Sequence, residues 1–139
     1  RRFIPDGEAK DPEEECLRYE RAIAEKGGLD FAILGIGADG HIAYNLPGQA
    51  GPRTHVVTLD PATVATLGGE LRGTVRAITM GVETILSAKK ILLLATGASK
   101  AEALRRMRDE PISDAWPCTL LRGHDDLTVI ADGAAGAQL

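Results

Sequence analysis

Two short apolar runs limit what this chain can build. Phe31-Ala32-Ile33-Leu34 and Ile91-Leu92-Leu93-Leu94-Ala95 carry no polar side chain. Each is far short of the ~18 residues that a membrane span needs. An unbroken apolar run of this length reads as a strand buried on both faces of a sheet. Around the two runs the signals are helical. Asp11 offers an N-cap, Pro12 suits the first helical position, and Glu13, Glu14 and Glu15 place negative charge in the first turn, where the helix dipole favours it. That helix is expected to run to about Lys26 and to end at Gly27-Gly28. Cys16, Leu17, Ala22 and Ile23 would face the core, and the acidic side would be solvated.

Further on, His55 to Leu59 alternates and is rich in β-branched residues, as strands are. Asp60-Pro61 opens a short helix expected to fail at Gly68-Gly69, and Arg76 to Met80 is a second short strand. Val82 to Ala88 should form one or two helical turns. A helix from the Lys100 turn to about Arg108 places Arg105, Arg106 and Arg108 where cations complement its dipole. A small helical segment is expected near Cys118 to Leu121. Leu127 to Ala131 closes the sheet, and Gly133 onward is a tail. Strands alternating with helices predict an α/β fold: three layers, with a mostly parallel sheet and helices on both faces.

At 139 residues the chain is read as a single α/β domain, residues 1–139. Apolar residues make up 44% and aromatics 4%, so Ala, Val, Ile and Leu must fill the core. The net charge of −4 argues against nucleic acid and anionic membranes as partners. An anionic small molecule is compatible with it if a local cationic pocket exists. Cys16 and Cys118 stand alone without CxxC spacing, which predicts a reduced, cytoplasmic protein. No signal peptide is visible. The chain opens on Arg1-Arg2-Phe3-Ile4-Pro5 without Met and without a first strand-turn-helix unit of its own, so it reads as a piece of a longer protein.

The stretch that spells out chemistry follows the first apolar run: Leu34-Gly35-Ile36-Gly37-Ala38-Asp39-Gly40-His41-Ile42-Ala43-Tyr44-Asn45-Leu46-Pro47-Gly48. Open α/β sheets bind ligands at the carboxyl ends of parallel strands. Glycines there leave room for a ligand against the backbone, and an Asp two residues from a His is a general acid–base pair. The plainer reading is an Asp that bonds its own turn beside a structural His. Gly35-x-Gly37-x-x-Gly40 also satisfies the dinucleotide fingerprint, but Pro47, Gly48, Gly51 and Pro52 break the helix which that fingerprint requires. His41, His55 and His124 lack metal-ligand spacing, and no GxSxG is present. Neither a cofactor nor a metal is expected. Lys100 follows Gly97 at a second strand-to-helix turn, where amide groups and an ammonium converge as a phosphate requires. Arg53 is a second candidate for the same pocket.

Leu34 to Asn45 resembles the signature of the glucosamine-6-phosphate deaminase/isomerase family, to which the 6-phosphogluconolactonases are related. Ala77-Ile78-Thr79-Met80-Gly81-Val82 and Leu94-Ala95-Thr96-Gly97-Ala98-Ser99-Lys100-Ala101 resemble further family blocks in the same order. The resemblance implies a Rossmann-like fold and a phosphorylated amino sugar as substrate. It also implies His41 as the group that moves the ring-opening proton and Asp39 as an aid to proton transfer on the opened sugar. Lys100 would hold the phosphate, with Gly37 and Ala43 as further substrate-binding positions. The implied reaction is aldose–ketose isomerisation through an enolamine, followed by hydrolytic loss of ammonia, without a metal. The family has a glutamate before the signature proline, where it orients the histidine; here that position is Leu46. The family's arginine after Leu59 has no match between Asp60 and Gly69, and its front portion has no counterpart in this sequence. The chain is therefore expected to be the C-terminal part of a longer domain and a poor catalyst by itself. Lactone hydrolysis and catalytically silent sugar-phosphate sensing are the alternatives, and a homo-oligomer is expected from an unpaired sheet edge.

Overall fold

The computed structural model describes residues 2–67 and 73–139. Its centre is a parallel sheet of three strands, Phe31–Gly35, Lys90–Ala95 and Leu127–Ala131, with the second in the middle. Two more strands, His55–Thr58 and Arg76–Thr79, pair antiparallel as a separate ribbon. Numbered along the chain, the strands are β1 (Phe31–Gly35), β2 (His55–Thr58), β3 (Arg76–Thr79), β4 (Lys90–Ala95) and β5 (Leu127–Ala131), so the main sheet runs β1-β4-β5. The helices are α1 (Pro12–Glu25), α2 (Pro61–Leu67), α3 (Val82–Leu86) and α4 (Ala101–Asp109). A 3-10 turn at Ala98–Lys100 precedes α4, and a longer 3-10 segment covers Pro117–Gly123.

Local chemistry accounts for these elements. Asp11 caps α1 by accepting from the Glu14 amide at 3.0 Å, and Pro12 follows it. The arginines of α4 bind their own helix: Arg105 and Arg106 both reach Glu102, and Arg108 reaches Asp109. The expected failure of α2 at Gly68-Gly69 lies outside the described residues. Gly133 onward is not a loose tail: Ala135 is fully buried, and its amide donates to Asp132. Leu17 is 56% exposed, so the inner side of α1 is not the apolar stripe expected. It carries Glu15 and Cys16, both buried, together with Glu20. Glu20 accepts from the amide and hydroxyl of Thr54 and from the Thr84 hydroxyl. Glu15, the buried one of the two, accepts from the Asp6 amide and the Arg18 guanidinium, so it and the half-buried Glu20 are both bonded, as burial requires.

Parallel pairing places Ala32, Leu34, Ile91, Leu93 and Ala95 on one face of the main sheet. There they pack on Ile85 from α3 and Ala88 just after it, on Ala103, Leu104 and Met107 from α4, and on Cys118 and Leu121. The opposite face carries Phe31, Ile33, Leu94 and Ile130, which are 46%, 63%, 41% and 54% exposed. The α/β class and the parallel sheet with its helices agree with the sequence reading. Among the described residues the helical layer covers one face only, and the apolar runs are buried on that side alone.

Candidate active site

β1 delivers the chain to a tight loop. The Gly37 amide donates to the His41 carbonyl at 2.8 Å, and the Gly40 amide donates to the Gly37 carbonyl at 3.1 Å, which folds residues 37–41 on themselves. Gly40 has φ +82°, and a Cβ there would lie 2.7 Å from the Trp116 ring, so conformation and packing both demand glycine. Gly37 is required for space: a Cβ would fall well inside 3 Å of the His41 ring and of Asp39 Oδ1. Beyond the loop, Ile42 is fully buried. Asn45, also fully buried, donates from Nδ2 to the carbonyls of Ile42 and Met80. The loop is therefore anchored at both ends by core residues, and its apex faces outward.

At that apex His41 Nδ1 lies 2.7 Å from Asp39 Oδ1, with side chains 25% and 46% exposed. The approach is a close contact rather than a directed hydrogen bond, because Nδ1 has no aligned partner. Asp39 Oδ1 also accepts from the His41 backbone amide at 3.2 Å, so the turn-bonding role of Asp39 is real and coexists with its contact to the ring.

Asp39, His41 and Lys100 line one cleft of about 520 Å³, together with Gly37 and Ser99. Lys100 stands at the end of the 3-10 turn after β4, the neighbour of β1. Adjacent parallel strands thus bring the Asp39 carboxylate, the His41 ring and a cation to one opening. Asp60 and Thr63 of the α2 start line it too. Asp60 accepts from the amides of Ala62 and Thr63 and from the Thr63 hydroxyl. The Thr63 bonds, hydroxyl first, hold its carboxyl below the usual carboxylate range. The sequence reading took Asp60-Pro61 as a helix start only; nothing local to it signals proximity to Lys100.

Ala43 and Arg53 sit elsewhere. Ala43, at φ +51°, lines a second cavity of about 510 Å³ with Tyr19, Tyr44 and Met80. His41 borders both cavities. Arg53 does not join the Lys100 cleft: its guanidinium lies 3.7 Å from Glu20 and 3.9 Å from Glu83, and these carboxylates hold it on the α1 side. Leu46 is 2% exposed and packs with Val57 and Leu59, with Tyr44 and Val64 around them. Among the described residues no cluster of His, Cys, Asp or Glu is arranged to hold a metal ion, and no helix is long and apolar enough to cross a membrane.

Residues 2–130 match the family of glucosamine-6-phosphate isomerases/6-phosphogluconolactonase. The chain belongs to that family. It is 45% identical to a glucosamine-6-phosphate deaminase of Bacillus velezensis, over 97% of this chain and 58% of the relative. With glucosamine-6-phosphate deaminase 1 of Bacillus subtilis it shares 44% identity, over 99% of this chain and 59% of the relative. The solved structure of a monomeric glucosamine-6-phosphate deaminase superposes with a TM-score of 0.90 at 43% identity, over 99% of this chain and 59% of that one. A 6-phosphogluconolactonase from Trypanosoma cruzi shares the fold, with a TM-score of 0.71 at 24% identity over 91% of this chain and 52% of that one. The family chain described here thus spans under three fifths of the length of these deaminases.

Proposed function

We propose that this chain is the later part of one α/β domain in a glucosamine-6-phosphate deaminase, which isomerises a phosphorylated amino sugar and releases ammonia. The observation that carries the reading is the meeting of Asp39, His41 and Lys100 at a single cleft. The 45% identity to a deaminase supports the same substrate class. Lys100 holds the phosphate, whose remote binding energy fixes the sugar against the loop. His41 carries the ring-opening proton between O5 and O1. Asp39, held beside the ring, stabilises the imidazolium form during the transfer. Gly37, lacking a Cβ, leaves the room in which the His41 ring and Asp39 meet.

The Lys100 ammonium suits this role because no carboxylate of the described residues comes within ion-pair distance of it. An anion entering the cleft therefore displaces no existing partner. The residues of this chain supply ring opening and phosphate binding. The proton transfer from the amino-bearing carbon falls to the part of the protein outside residues 1–139. Homo-oligomerisation and a cytoplasmic setting belong to the same proposal.

One observation favours a second reading: Leu46, where deaminases of the family carry a glutamate, is compatible with a lactonase in which His41 activates water. Incubating the intact protein with glucosamine 6-phosphate and, separately, with 6-phosphogluconolactone separates the two. Ammonia release is the expected result. Acid release from the lactone without ammonia release would replace the deaminase reading. Saturable hexose-phosphate binding without turnover of either substrate would replace both with a sensor.

A further inference from the structure

The phosphate-binding role proposed for Lys100 depends on where its turn is held, and the turn's own bonds are few. The Lys100 amide donates to the Gly97 carbonyl at 3.1 Å. Gly97, at φ +87° and ψ 152°, departs from the helical path, and its amide points away from the turn. That amide is bonded by a side chain from another strand: both oxygens of Asp132 accept from it, at 3.1 and 3.0 Å. Asp132 directly follows β5, whose last residue, Ala131, is in register with Ala95 of β4. Its backbone amide donates to the Ala95 carbonyl at 3.2 Å, and Oδ1 accepts from the Ala135 amide at 2.7 Å. The carboxylate is therefore fixed before it grips Gly97. The Ala135 and Gly97 amides lower its pKa, which keeps it ionised and the bonds charge-assisted.

We infer that Asp132 is a positioning residue for phosphate binding: it clamps the Gly97 amide and thereby fixes the turn that presents Ser99 and Lys100 to the cleft. The inference rests on the reading of Lys100 as the phosphate ligand. Asp132 does not line the cleft, so it acts through the turn and not on the substrate. Without it the turn keeps the Lys100-to-Gly97 bond but loses its tether to the sheet. The ammonium then samples positions outside the cleft, and the cost falls on binding of the phosphate before it falls on proton transfer at His41.

Inorganic phosphate, used as a competitive inhibitor of the intact enzyme, tests this. Asp132→Ala is expected to raise both the Ki of phosphate and the KM by about tenfold while kcat changes much less, the pattern of a lost uniform binding contact. Asp132→Asn retains an acceptor oxygen and should recover most of the loss. Lys100→Ala is run beside them. If Lys100→Ala weakens phosphate but Asp132→Ala leaves Ki unchanged, the clamp is refuted while the Lys100 assignment survives. If neither variant moves Ki, both fail. If Asp132→Ala does not fold, the asparagine variant decides: a Ki equal to that of the unaltered enzyme refutes the clamp, and a rise of two- to threefold supports it.

Discussion

At Gly37 a single methyl group decides whether the acid–base pair can exist. A Cβ would collide with the His41 ring and with Asp39 Oδ1, and both side chains are partly exposed and can swing away. Gly37→Ala should therefore leave the melting temperature within a few degrees while lowering kcat on the order of a hundredfold, the cost of an ångström-scale misplacement. Leu46 reverses that pattern. The family resemblance implies a glutamate at this position. The structure buries Leu46 in an apolar cluster with Val57 and Leu59, where a carboxylate finds no partner. Leu46→Glu should cost about 2–4 kcal/mol of stability, read as a lower denaturation midpoint, whereas Leu46→Met should cost under about 1.5 kcal/mol. A glutamate variant as stable as the original protein would show that the cluster opens to admit the charge.

Among the elements, α1 is where the sequence misled most. Its start was legible because Asp11-Pro12-Glu13 is local chemistry, and caps need no tertiary partner. Its buried side was not, because Glu20 becomes a suitable inner residue only through distant donors, and Glu15 only through Arg18 one turn on and the entry segment. Glu15 accepts from Arg18 and from the Asp6 amide, and Glu20 from Thr54 and Thr84. The Arg18 guanidinium, with the Asp6 amide, lowers the Glu15 carboxyl from 4.5 to about 2. A depressed native pKa contributes stability above the unfolded value that is lost as pH falls through the folded one. The protein should accordingly lose stability between about pH 4.5 and 2, and Glu15→Gln should flatten that part of the profile in melts taken across the range. An unchanged slope would mean that the bond to Arg18 contributes nothing. The strands, the 3-10 segment near Cys118 and the Asp39/His41 loop were all readable, because each is encoded within a few neighbouring residues. The convergence of Asp60, Thr63 and Ser99 on the cleft was not, since it depends on how α2 packs.

Over the whole molecule the dominant feature is the bare side of the sheet. Phe31, Ile33, Leu94 and Ile130 form an exposed apolar surface, and among the described residues no strand lies beyond β1. Contiguous surfaces of this kind associate. Residues 1–139 by themselves should therefore show concentration-dependent association by sedimentation, reduced in an Ile33→Lys, Ile130→Lys double variant without loss of helix content by circular dichroism. A chain that stays monomeric at all concentrations would contradict this. The other side of the same sheet sets a different limit. The loop holding His41 leaves β1 after Gly35 and the turn holding Lys100 leaves β4 after Ala95, and these strands are hydrogen-bonded partners with Gly35 level with Leu94. The gap between the His41 ring and the Lys100 ammonium is thus measured from one inter-strand spacing of about 4.8 Å, so the backbone ladder serves as a ruler. On the proposed roles of His41 and Lys100, that spacing sorts ligands by the reach from their charged terminus to their reactive end.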